Sequence, residues 1–163
     1  MILFGAVLFG LLVTDLVTKW LTMDMSARDL IGGFLSITPT MNAGVAFSWF
    51  YGAGVVLTVV TGLLICGIVA FFIIFRRKMK TKPMLFDIGF AFFIAGAFGN
   101  WFCRVFYNNA VRDFIRFHFF PFIFNFADVW LTTGAILLGT YFVFFYKPNG
   151  NVADDGKVAD ESA

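Results

Sequence analysis

Four apolar stretches of membrane-crossing length, a low charged fraction and one dense basic cluster predict an all-α membrane protein with four transmembrane helices. Only 13% of the 163 residues are charged, 60% are hydrophobic, and the mean hydropathy is +0.87. A soluble domain carries about 25% charge. The apolar stretches run over residues 2–23, 55–75, 84–102 and 128–146. Each is close to the ~20 residues that cross ~30 Å of hydrocarbon as a helix. Backbone facing lipid must satisfy its own hydrogen bonds, so the helix is the expected form. The first stretch lacks a basic leading region and a small-residue cleavage site, so it is expected to stay as a membrane helix.

The second and third stretches are joined by Arg76, Arg77, Lys78, Met79, Lys80, Thr81, Lys82 and Pro83. A loop this basic is expected in the cytoplasm, with both termini on the same side. Loops 24–54 and 103–127 then face outward. The run from Phe34 to Thr38 is β-prone and ends at Pro39, and Asn42, Ala43 and Gly44 suit a turn. A small extracytoplasmic loop region containing short β-strands is therefore expected. Residues 1–147 read as one membrane domain. Residues 148–163, polar and rich in Asp and Gly, read as a disordered cytoplasmic tail.

Composition narrows the chemistry. A net charge of +2 leaves no basic surface for nucleic acid. Cys66 and Cys103 have neither metal nor redox spacing. Cys66, inside an apolar run, is expected to pack as a small hydrophobe. There is no H-E-x-x-H, and His118 alone cannot build a usual zinc site, so neither a metal nor a cofactor is expected.

The polar residues gather at the outer end of this topology. Asp15, Thr18 and Lys19 share one face of the first helix, and Asp15 can pair with Lys19. Asn42 lies in the first outer loop. Gly96, Asn100 and Arg104 form one stripe of the third helix. Asn125 and Asp128 stand at the start of the fourth. Asp113 and Asp128 bracket an aromatic stretch. An ionisable group in or near hydrocarbon costs about 2.5–3.5 kcal/mol on insertion scales, which makes both functional candidates. A carboxylate pair is also the equipment of acid/base hydrolysis.

Structural explanations stand beside these. Asp15 and Lys19 equally suit a packing pair. Asn125 is spaced from Asp128 as a helix cap, which does not exclude a site role. Gly96 and Gly99 permit close helix contact, and Asp87 favours a helix N-terminus. His118 and the Phe-rich run 117–126 suit the membrane interface. Arg104, Arg112 or Arg116 is a possible partner for one of Asp113 and Asp128. A small transporter is the rival from another class, because intramembrane Asp15, Lys19 and Asp128 also suit ion movement. Against it, the polar groups cluster at one end and no internal repeat is visible.

At these residues the chain resembles the lipoprotein signal peptidases (signal peptidase II), aspartyl proteases of bacterial membranes. Asp15-Leu-Val-Thr18-Lys19 matches D-x-x-T-K. Asn42-Ala-Gly44-Val-Ala46-Phe47 matches N-x-G-x-A-[FW]. Gly96-Ala-Phe-Gly99-Asn100, followed by Arg104, matches most of G-x-x-G-N-x-x-D-R. Val111-Arg-Asp113-Phe114 matches V-x-D-F, and Phe124-Asn125-Phe-Ala127-Asp128 matches F-N-x-A-D. Five motifs in order on a four-span pattern are highly specific.

The resemblance implies that Asp113 and Asp128 are the catalytic aspartates. It implies supporting or substrate-binding roles for Asp15, Lys19, Asn42, Gly96, Asn100, Arg104 and Asn125. The implied substrates are diacylglyceryl-modified prolipoproteins, presented in membrane lipid and cut before the lipid-modified cysteine. The implied location is the bacterial cytoplasmic membrane, with the site on its extracytoplasmic side. Cys103 stands where the family has Asp before Arg, so a catalytically reduced, lipoprotein-binding relative is the alternative within the family.

Overall fold

The structure, a computed structural model, describes residues 2–43, 54–79 and 83–146. Four long helices form: α1 (Ile2–Leu21), α2 (Gly54–Lys78), α3 (Met84–Phe106) and α4 (Phe126–Thr140). A π-helical turn, Tyr141–Phe145, prolongs α4. With it, all four are long and apolar enough to cross a membrane. The α3 helix is the hub: just over half of its apolar window (56%) is buried, against 11% in each of the others. The outward faces of α1, α2 and α4 are lined by side chains such as Val17, Leu63 and Ile136. Such a surface suits lipid and not water.

Gly96 makes the tight packing of α3 possible. A Cβ there would run into the Ala127 carbonyl and the Leu131 backbone nitrogen of α4. A Cβ at Gly99 would collide with the Asp15 carboxylate of α1. At one end of the bundle the contact is aromatic: Phe72, Phe86, Phe90, Ile94 and Tyr141 form a buried cluster joined by Phe4 and Leu8. The expected basic loop is shorter than its sequence suggests. Arg76, Arg77 and Lys78 form the last turn of α2, where cations complement the helix dipole. Arg76 also grips Asp87 of α3 bidentately. Lys80, Thr81 and Lys82 lie outside the described residues, as do Gly44, Ala46, Phe47 and the tail 148–163.

At the other end sits one antiparallel sheet of four strands, β1 (Arg28–Ile31), β2 (Leu35–Asn42), β3 (Val111–Phe117) and β4 (Ile123–Phe124), in that order. The expected β-prone run is real but longer, because β2 continues through Pro39. The register shifts between Ile37 and Thr40, so the proline, which has no N–H to give, falls in the irregularity. Gly33, at φ +69, supplies the left-handed residue of the β1–β2 turn. The segment between α3 and α4 completes the sheet through β3 and β4. Phe119, Phe120 and Phe122 are exposed around the β3–β4 turn.

Cys66 corrects the expectation of a packed thiol. It is exposed on α2, whose buried residues are Ile65 and Phe72. Toward lipid there is little solvophobic drive to turn a thiol inward.

The contact at Gly96 is testable by thermal unfolding in detergent. Gly96→Ala is expected to lose about 1–3 kcal/mol through overpacking, and with it several degrees of Tm. Gly10→Ala, whose Cβ would meet nothing within 4 Å, is expected to melt like the native protein.

Candidate active site

The sheet and three helix ends bring the predicted polar residues together. Register pairs Asn42 of β2 with Val111 and Thr40 with Asp113, which sets the Asn42 amide beside the Asp113 carboxylate. Asn42 Nδ2 donates to Asp113 Oδ2 at 2.9 Å. Pairing of β3 with β4 returns the chain antiparallel, so Asn125, just after β4, lies beside Asp113. Asn125 Nδ2 donates to Asp113 Oδ1 at 2.6 Å. Asp113 is buried, 4% exposed, while Asp128 is half-buried.

Asn125 is both a helix cap and a site residue. Its side chain accepts from the Asp128 backbone N–H at 3.1 Å, and its own backbone N–H donates to Asp128 Oδ2 at 3.1 Å. This capping box starts α4 and fixes the Asp128 rotamer at once. Asn125 thereby holds both aspartates, one through its amide and one through its backbone. The Asn125 amide also lies 3.2 Å from the Arg112 carbonyl and 3.1 Å from Asn100 Oδ1.

Further polar contacts come from α1 and α3. Asn100 Nδ2 donates to Asp128 Oδ1 at 2.8 Å. Asn100 Oδ1 accepts from Lys19 Nζ at 2.9 Å. Lys19 also donates to Asp15 Oδ2 at 2.8 Å, so the expected pair exists. Asp15 Oδ1 accepts from the Ala127 backbone N–H at 2.9 Å, one of the orphan donors at the start of α4. Asp15 and Lys19 are the buried residues of α1.

The expected pairing of an aspartate with Arg104, Arg112 or Arg116 does not occur among the described residues. Asp113 and Asp128 are held by amides and backbone N–H groups instead. The Arg112 guanidinium lies over the Tyr107 ring, 5.5 Å from its centroid. Arg116 is exposed. Among the described residues Arg104 Nε is buried with no hydrogen-bond partner, directly after the buried Cys103. Gly96 serves the site indirectly, through the α3–α4 contact. His118, away from the aspartates, lies 3.5 Å from the exposed Asp29 of β1. Among the described residues, no group of three His, Cys, Asp or Glu side chains is placed to hold a metal ion.

Burial pushes the Asp113 carboxyl above the ordinary carboxylate range; the Asn42 amide opposes this, the nearby Asp128 charge adds to it, and the Asn125 amide opposes it. Asp113 and Asp128 share no direct hydrogen bond. They are coupled by charge and by the asparagine between them.

Sequence reasoning missed the backbone partners. The Ala127 N–H that anchors Asp15 and the Arg112 carbonyl that faces Asn125 carry no side-chain signal. The Arg76–Asp87 clamp was legible only as two separate charges.

Four helices long and apolar enough to span a membrane, three of them meeting at this site, define a multi-pass membrane protein. Residues 7–144 match the family described as signal peptidase (SPase) II. The lipoprotein signal peptidase of Clostridium novyi (strain NT) is 32% identical over 143 residues, 83% of this chain and 93% of that protein. That of Geobacillus thermodenitrificans (strain NG80-2) is 34% identical over 158 residues, 89% and 95% of the two chains. A solved bacterial membrane enzyme superposes with a TM-score of 0.78 at 26% identity, covering 90% of this chain and 96% of the other. A second gives 0.72 at 29% identity, covering 85% of each. The chain belongs to the signal peptidase II family and is a protease of that type. The transporter alternative falls with that membership.

The raised Asp113 pKa sets a sign for stability. A carboxyl whose pKa is raised on folding contributes stability below its unfolded pKa, and loses it as pH rises through the folded value. Asp113→Asn is therefore expected to melt at or above the native temperature at pH 7.5, with the gap closing toward pH 4. Thermal unfolding in detergent at both pH values checks this. A native protein more stable than the variant only at the higher pH would contradict the burial account.

Proposed function

We propose that this protease removes signal peptides from diacylglyceryl-modified prolipoproteins, with Asp113 and Asp128 as its catalytic pair. The bond cut lies just before the lipid-modified cysteine. The observation that carries this is a pair of carboxylates held from one residue, Asn125, at the end of a membrane bundle. Relatives named lipoprotein signal peptidase support the substrate class. A substrate whose signal helix and acyl chains both stay in the bilayer suits an enzyme whose outward surface is itself apolar.

The pair works as one acid and one base. Two nearby carboxylates resist double ionisation, so the site holds one proton between them. The ionised member takes a proton from water as the oxygen attacks the scissile carbonyl carbon. The protonated member donates to the carbonyl oxygen, giving a tetrahedral diol. As the C–N bond breaks, the carboxyl that took the proton from water delivers it to the departing amine, one diol hydroxyl gives its proton to the other carboxylate and becomes the carbonyl oxygen, and the pair again holds one proton. Asn42 and Arg104, at the edge of the pair, are the candidates for holding the substrate backbone or its glyceryl region. The membrane is the bacterial cytoplasmic membrane. The termini lie in the cytoplasm and the sheet end faces outward, in keeping with the cations that end α2.

One observation favours a second reading, a catalytically reduced lipoprotein-binding relative. The carboxylate that the family motif places before Arg104 is absent here, and Arg104 Nε is buried without a hydrogen-bond partner among the described residues.

Asp113→Asn and Asp128→Asn are each expected to lower cleavage of a diacylglyceryl-modified prolipoprotein by about 10²–10⁴-fold while helix content is unchanged. Full activity in either variant would sink the assigned pair.

Cysteine labelling tests the orientation. In a protein lacking Cys66 and Cys103, Gly32→Cys on the exposed β1–β2 turn is expected to react with an impermeant reagent outside intact cells. Lys78→Cys, exposed at the end of α2, is expected to react only after lysis. The reverse pattern would put the site in the cytoplasm.

A further inference from the structure

The orientation of the Asn100 amide is fixed from both sides: Lys19 and Asn125 donate to its oxygen, and Asp128 accepts from its N–H₂. An amide presents an oxygen on one side and an N–H₂ on the other. Lys19 Nζ can only donate, so the side of Asn100 facing it, at 2.9 Å, must be the oxygen. The N–H₂ is then forced toward Asp128, where it donates at 2.8 Å. An ammonium on the amide oxygen also polarises the amide and strengthens the donor at its far end. Lys19 is itself fixed by Asp15, and Asp15 by the Ala127 N–H. The whole relay is out of water: Asp15 is 0%, Lys19 4% and Asn100 8% exposed.

The two aspartates are not equivalent at its end. Asp128 is the third residue of α4, in the positive field of a helix N-terminus, and receives the polarised Asn100 donor. Asp113 lies on a strand, more deeply buried, and its donors are the Asn42 and Asn125 amides. We propose that Lys19 is a positioning residue that, through Asn100, keeps Asp128 as the carboxylate that deprotonates water and leaves Asp113 as the one that carries the proton. This rests on the hydrolytic reading above and assigns the two roles that reading leaves shared. The charged groups facing Asp128 are Asp15 and Lys19 from α1, Arg104 from α3 and Asp113 from β3. Arg104 and Asp113 are constant across the variants below.

The test is the pH profile of kcat/KM for a diacylglyceryl-modified prolipoprotein, measured on the full chain in lipid nanodiscs. Its acid limb reports protonation of the base. Lys19→Met removes the cation behind the Asn100 amide, and the limb is expected to move toward higher pH by about one unit. Asp15→Asn leaves Lys19 uncompensated, and the limb is expected to move the other way. Asn100→Leu cuts the relay while keeping the Asp15–Lys19 pair, and is expected to reproduce the Lys19→Met shift. In the Asn100→Leu background, Asp15→Asn is expected to move the limb less than it does alone, because only the direct charge interaction with Asp128 is left. A merely structural role would lower activity in these variants with the limb unmoved, and that result overturns the proposal. Should Lys19→Met not fold, the opposite shifts of Asp15→Asn and Asn100→Leu decide the question alone, and an unmoved limb in either is again fatal. A native protein that cleaves nothing would overturn the hydrolytic reading itself, an outcome distinct from cleavage with an unmoved limb.

Discussion

A polar group inside a membrane bundle must find its partners in protein, and here two asparagines, Asn125 and Asn100, link most of the site. Asn125 reaches Asp113 with its amide and Asp128 with its backbone, and its amide lies beside Asn100. Asn100 joins Asp128 to Lys19. Through these two residues α1, α3, α4 and the sheet become one polar unit. Each unmet buried hydrogen bond costs about 1–3 kcal/mol, more for charged groups, so the elements cannot shift independently. The glycines of α3 follow from the same constraint. Asp15 reaches α4 only because Gly96 and Gly99 let the three helices close on one another.

The division of the bundle into two ends follows as well. At one end the helices are held by stacked and tilted phenylalanines, with Phe86 against Phe72, Phe90 and Tyr141. At the other, amides and charges take over, and the sheet closes the end. The aromatic end is generic packing that lipid-soluble side chains supply cheaply. The polar end is specific, since its donors, such as Lys19 Nζ and the Asn125 amide, are aimed at particular acceptors. Chemistry that needs a carboxyl above its ordinary pKa belongs at the polar end, where burial of Asp113 works against its charge.

Much of this was legible in the chain. Hydropathy placed four helices to within a few residues, because lipid imposes a length and forbids charge. The spacing of Asn125 and Asp128 announced the cap, and the i, i+4 spacing of Asp15 and Lys19 announced the pair. The sheet was only half visible: β2 showed as a β-prone run, but β3 and β4 hid in an aromatic stretch that reads equally well as membrane interface. The partners of the aspartates were harder still. Three arginines near Asp113 invite an ion pair by charge alone, yet register and the helix cap hand both carboxylates to asparagines. Cys66 shows the limit of burial rules carried over from water, since in lipid an exposed thiol costs little.

The most direct measurement is the mass of the products. Purified protein in lipid, given one precursor with and without the diacylglyceryl group, is predicted to release a signal peptide ending at the residue before the lipid-bearing cysteine, and only from the modified form. Cleavage at another bond, equal cleavage of the unmodified precursor, or no cleavage at all would contradict the account.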